Sequence, residues 1–199
     1  MDMSLQPNSR RPLFAIALTA LASLPACSSM PVSSMVKLAR TDFAAADPAA
    51  LRIAVRLPQG LRPRPRGVTL KIAVAVDETK QEQTLVLTEL DDPAELLSLS
   101  GELTRNTAIY AFRIDPVDLP RIAALREQMA AHRARGKRGS LSLGVGAEAC
   151  RIGPLPASPL LTTYLKTERG GDFYPLVRDV DLRKELPGAV TPERIPPCP

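Results

Sequence analysis

Alternation of apolar and polar residues at every second position constrains this chain more than any other feature. Val68, Leu70, Ile72, Val74 and Val76 fall on one side of an extended segment, with Thr69, Lys71, Ala73 and Ala75 on the other. That two-residue period belongs to a strand. Leu51, Ile53, Val55 and Leu57 alternate with Arg52, Ala54 and Arg56 until Pro58 and Gly60, which predicts a strand with one wet face. The pattern returns over residues 84–90, after a polar turn expected at residues 77–81. It returns again in Ala108, Tyr110, Phe112 and Ile114, whose aromatic rings are expected to fill core, and in Leu141, Leu143, Val145, Ala147 and Ala149. Gly144 and Gly146 share one side of that last run, which permits a bend or the close approach of another backbone. Residues 160–167 and 173–180 read as a hairpin joined through Arg169-Gly170-Gly171-Asp172, with Tyr164 and Tyr174 placed to meet across it. Residues 96–103 are apolar and fit either a short strand or a turn of helix.

One helix interrupts the strands. Asp118 is placed to cap it, Pro120 sits in its first turn, and Gly136 ends it, so the spacing predicts a helix over 118–135. Ile122, Leu125 and Met129, widened by Ala123 and Ala130, form a narrow stripe to pack on the sheet. At least six strands with one helix predict a mainly β fold, an antiparallel β-sandwich-like domain with one covering α-helix. An α+β single sheet with one helix is the alternative. The globular domain is placed at 50–182, and the Pro-rich tail at 183–199. There is no internal repeat.

The amino-terminal segment is of another kind. Arg10 and Arg11 precede an apolar run over 13–24 that is too short to span a bilayer, and Leu24-Pro25-Ala26-Cys27-Ser28 follows. Leu24, Ala26 and Cys27 resemble the lipobox of the bacterial lipoprotein signal peptide, from which Pro25 departs. The remainder is similar in general character to uncharacterised envelope lipoproteins of Gram-negative bacteria. The resemblance implies a signal peptide over 1–26, a diacylglyceryl group on the sulfur of Cys27, palmitate among its acyl chains, and a tether over 27–49. Ser28, rather than Asp, after the cysteine resembles lipoproteins sorted to the outer membrane, facing the periplasm, in a host with two membranes. With Cys27 lipidated, Cys150 and Cys198 remain as an even pair in an oxidising compartment, where a disulfide persists and would pin the tail. Two unpaired thiols are the alternative.

Removing Arg10, Arg11 and Asp2 with the leader lowers the formal charge of +5 by one, leaving a mild basic excess that favours anionic neighbours. Arg62-Pro63-Arg64-Pro65-Arg66 reads as an extended, self-repelling loop. It is either a contact for phosphate or carboxylate groups of an envelope protein, lipid or glycan, or a solvated connection that keeps a strand edge soluble. Arg126 and Arg133 flank the helical stripe and belong to the same candidate anionic surface, or serve simple solvation and helix capping.

Chemistry is sparse. His132 is the single histidine and has no nucleophile motif around it. Glu148 with Asp179 or Asp181 is a thin basis for glycan hydrolysis. Two cysteines and one histidine make a poor metal set, and the absence of tryptophan with few other aromatics argues against nucleic acid. The expectation is a non-catalytic envelope lipoprotein without cofactor or metal, a binding or scaffolding module. A lipid- or glycan-ligand carrier or sensor, with its ligand between sheet and helix, is the alternative.

Overall fold

The alternation at 68–76 builds the inner half of β2 (Leu61–Val76), and the remaining strands assemble around it. The computed structural model describes residues 46–185 and 194–199 together with positions 31, 33, 34 and 41. The leader, Cys27 and most of the 27–49 tether lie outside the described residues.

In chain order the elements are β1 (Arg52–Pro58), β2, β3 (Thr79–Leu90), the short helix α1 (Pro93–Leu96) running into a 3-10 helix (Leu97–Glu102), β4 (Thr107–Ile114), α2 (Leu119–Ala134), β5 (Gly139–Arg151), β6 (Leu160–Lys166), β7 (Tyr174–Asp181) and the single turn α3 (Leu182–Glu185). The protein is mainly β. All seven strands join antiparallel in the order β5-β2-β3-β4-β1-β6-β7. The single-sheet alternative therefore describes the hydrogen bonding, and the sandwich-like character comes from curling. Strand β3 changes partner along its length: Thr79–Val86 pair with β2, and Leu87–Leu90 pair with β4.

Side chains from both halves of the sheet meet α2 in one core. Ile53, Val55 and Leu57 of β1, Leu70, Ile72 and Val74 of β2, Leu85 and Leu87 of β3, Phe112 of β4 and Leu165 of β6 pack with Ile122 and Leu125. Asp118 stands at the start of α2, but its carboxylate accepts from the Arg121 guanidinium rather than from a backbone N–H. Asp115 accepts from the Val117 N–H instead, one turn earlier. Ala123 and Ala130 are exposed, so the buried stripe is narrower than expected.

Several boundaries differ from the sequence reading. The Arg-Pro stretch is not a loop. It lies within β2, whose register against β5 skips between Pro63 and Val68, a bulge that accommodates residues unable to donate to the ladder. Strand β3 begins at Thr79, because the backbone pairing of Ala73 with Glu82 and Val74 with Gln81 extends the hairpin through polar residues. The turn is then Asp77-Glu78 alone, with Asp77 at a φ of 53°. Residues 96–102 are helical, in α1 and the 3-10 helix that continues it, and Leu103 is extended. Gly144 and Gly146 face Lys71 and Thr69 side chains across the ladder, and the close backbone approach occurs instead at Gly60, where a Cβ would collide with the Pro154 carbonyl.

Strand β1 is covered on both faces, which removes the expected wet face. Its second face carries Arg52, Ala54 and Arg56 beneath the 93–102 segment. Leu99, 2% exposed, packs there with Ala54, Ala111 and Tyr164 in a second small core. Tyr164 and Tyr174 do not meet. Leu165 is the residue opposite Tyr174, so the two rings go to different cores.

Candidate functional site

Three groupings of side chains qualify for attention, and each is fixed by the fold just described. The first is an apolar cavity between α2 and the β2/β5 part of the sheet. Its volume is about 260 Å³, just below the roughly 300–1,000 Å³ of ordinary ligand pockets. Leu70 and Ile72 of β2, Leu141 and Leu143 of β5, and Leu51 and Ile114 form the sheet side, while Ile122, Leu125 and Met129 form the helix side. The cavity exists because β5 ends the strand order and α2 covers it only in part. Leu141, Leu143 and Val145 consequently remain half-buried where an interior strand would have buried them fully.

Polar groups enter this lining from two places. Arg126 and Arg133 come from α2, seven residues apart and hence on one helical face, and Thr41 and Asp47 come from the segment preceding β1. Arg126 donates to the Ala46 carbonyl at 3.0 Å, tying the helix to that segment. The Asp47 carboxylate is engaged by the Ala49 N–H at 2.9 Å and by Arg169 at 3.4 Å. Arg133 is exposed. A smaller cavity of about 60 Å³ lies on the other flank of Leu125 and Met129, lined also by Val74, Val76, Thr79, Gln81, Gln128 and His132.

The second grouping is the bulge of β2. Arg62 lies 3.9 Å from Glu89 and Arg64 lies 3.9 Å from Glu148, both at the outer limit of ion pairing and well exposed. Arg66 adopts a φ of 59°. The Asp115 carboxyl is held below its ordinary range chiefly by the Val117 N–H and the Thr88 hydroxyl, and the charge of Arg66 adds weakly to this. These three arginines do not line the cavity that receives Arg126 and Arg133. The candidate anionic surface inferred from sequence therefore divides between two sites.

The third grouping was not expected from the sequence. Arg52 and Lys166 stand directly opposite on β1 and β6, a like-charge pair that would repel. Glu95 lies between them, 3.1 Å from Arg52 and 3.0 Å from Lys166. Burial pushes the Glu95 carboxyl up, but the hydrogen bonds from Lys166 and Arg52 outweigh it and hold the group below its usual value. Seven residues on, Glu102 accepts from Arg178 at 2.9 and 3.0 Å, from Arg56 at 3.1 Å and from the Tyr164 hydroxyl at 2.8 Å. The bond from Arg178 is the largest cause of its lowered pKa. Arg56 also reaches Asp179 and Thr162. Every charge in this network has an opposite partner, so its chemistry is that of a clamp holding the 93–102 segment to the sheet. The signal available in sequence was the spacing of Glu95 and Glu102 around Leu99.

Glu148 and Asp179, the carboxylates considered for glycan hydrolysis, belong to the strands at opposite ends of the sheet order and pair with Arg64 and Arg56 respectively. The Asp181 carboxylate accepts from the Arg183 N–H. Cys150 and Cys198 form a disulfide, with Cα atoms 4.8 Å apart. The tail returns as expected: Arg151 donates to the Pro196 carbonyl, and Cys198 donates to that of Arg151. Among the described residues no three His, Cys, Asp or Glu side chains gather to hold a metal ion, and no helix is long and apolar enough to cross a membrane. No family model, curated protein or solved structure matches this chain.

Proposed function

We propose that this chain is a periplasm-facing envelope lipoprotein, anchored through Cys27 to the outer membrane. Its β-rich domain is a non-catalytic binding module holding an apolar ligand between α2 and the sheet. The observation that carries this reading is the cavity of about 260 Å³ lined by Leu70, Ile72, Leu141, Leu143 and Met129. An apolar ligand seated there withdraws its own surface and that of the lining from water, which is favourable by roughly 25 cal/mol per Å². The disulfide fits an oxidising compartment, and the Cys27 anchor rests on the lipobox resemblance.

Native, non-reducing mass spectrometry of the protein extracted from membranes in mild detergent tests both parts. The expected species is a processed chain carrying acyl groups, two hydrogens lighter for the disulfide, with a small apolar companion retained under gentle activation. A soluble, unacylated mass would remove the anchor. An acylated mass with no companion under any extraction would remove the ligand.

A second reading draws on the exposed bulge. Among the described residues Arg62 and Arg64 have only long ion pairs, which leaves their guanidinium groups able to engage an acidic envelope partner. In that case the domain also serves as a scaffold.

A further inference from the structure

The polar groups of the large cavity are unevenly committed, and that imbalance bears on what the cavity takes. Asp47 is held by Arg169 and by the Ala49 N–H, and Arg126 is tied to the Ala46 carbonyl. Arg133 lines the same cavity, is exposed, and makes no ion pair among the described residues. Of the two guanidinium groups that line the chamber, that of Arg133 therefore stands without an ion pair among the described residues, at the polar side of a mainly apolar lining. Its two parallel N–H groups match the two oxygens of one carboxylate, and its single charge matches a single negative charge. The volume suits one alkyl chain rather than the two of a phospholipid.

Taking the cavity as the ligand site proposed above, we infer that its ligand is a single-chain alkyl carboxylate. The chain lies among Leu70, Ile72, Leu141 and Leu143, and the carboxylate lies at Arg133. Arg126 is the positioning residue: by holding Ala46 it fixes the wall against which the chain packs. The preference for an acid over a neutral amphiphile then resides in Arg133.

The test uses the full chain extracted from membranes in a sterol-based detergent, which has no alkyl tail to compete. A dodecanoate bearing a diazirine in its chain is photolysed with the protein, and labelled peptides are mapped by mass spectrometry. The expected result is labelling of peptides containing Leu70, Met129 or Leu143, displaced by dodecanoate at about tenfold lower concentration than by dodecanol, equivalent to about 1.4 kcal/mol. In Arg133→Gln the two competitors should become equal while cavity labelling persists, and Arg133→Lys should restore part of the difference. Equal displacement by acid and alcohol in the native chain overturns the carboxylate assignment and leaves the apolar site standing. Labelling outside the cavity overturns the site itself. Arg133 is an exposed helical residue, so unchanged circular dichroism of the variants separates loss of preference from loss of fold.

Discussion

Arg56 of β1 and Glu102 of the 3-10 helix, 46 residues apart in sequence, meet at 3.1 Å on the face of the sheet turned away from the main core. Arg56 is only 11% exposed. A guanidinium so nearly enclosed needs its partner, because an unpaired charge in that position costs more than the pair contributes. The 93–102 segment is therefore held by charge at both ends and by Leu99 between them.

Glu102→Gln should destabilise the fold by about 2 kcal/mol, the range of hydrogen bonds to charged groups. The same variant should alter the acid limb of the stability curve. The native Glu102 carboxyl is depressed, with the Arg178 hydrogen bond as the largest cause. Its contribution is thus complete above the ordinary value of 4.5 and is lost as pH falls through the lower native value. Urea midpoints measured from neutral pH downward should fall less steeply below that point in Glu102→Gln than in the native chain. Parallel curves would show that Glu102 does not carry the acid sensitivity.

All three tyrosines are shifted in one direction. Tyr164 is pushed up to about 12, first by burial and then by its hydrogen bond to Glu102. Tyr110 and Tyr174 are raised chiefly by burial. Raised pKa values stabilise the fold below the unfolded value of 10.0 and cease to do so as pH rises through the native values. The chain has no tryptophan to interfere, so phenolate absorbance should stay flat past pH 10 and then rise together with unfolding. A separate early phenolate step would contradict the burial of these rings.

Reduction of Cys150–Cys198, with a sequence separation of 48, should lower stability by about 4 kcal/mol in the chain-entropy model. The replacement of both cysteines by serine should do the same. The check is the shift in urea midpoint with and without reductant, which should vanish in the double variant.

The bulge arginines should behave differently. Exposed ion pairs contribute about 0–1 kcal/mol, so changing Arg62, Arg64 and Arg66 together to glutamine should leave the melting temperature nearly unchanged. If the second reading holds, the same variant should lose a partner that native protein retains at low salt. Retention by both would confine function to the cavity.

Strands β1, β4 and β5 and helix α2 were readable because their large apolar residues recur at one period. Strand β3 was only half readable. Thr79 to Gln83 carry no apolar signal and are extended by hydrogen bonding to β2, a property of the partner rather than of the segment. Arg52 and Arg56 suggested solvent because nothing local reports that residues 93–102 return to cover them. The parity of Tyr174 was misread by one position, since Leu165 rather than Tyr164 pairs with it beside the β6–β7 turn. The two flanking arginines of α2 were identified from spacing, but the chamber they border depends on where β5 stops the sheet. Sequence periodicity contains no such information.

The tail held by Cys198 has one more effect. Strand β5 presents an outer edge, and Pro197 bridges to Arg151 at one end of it. Proline has no N–H to offer, so Pro196 and Pro197 put a stop where a foreign strand could otherwise add to the ladder. Opening the disulfide frees that stop as well as loosening the fold. The bond thereby holds in place the residues that block strand addition at that end of the edge.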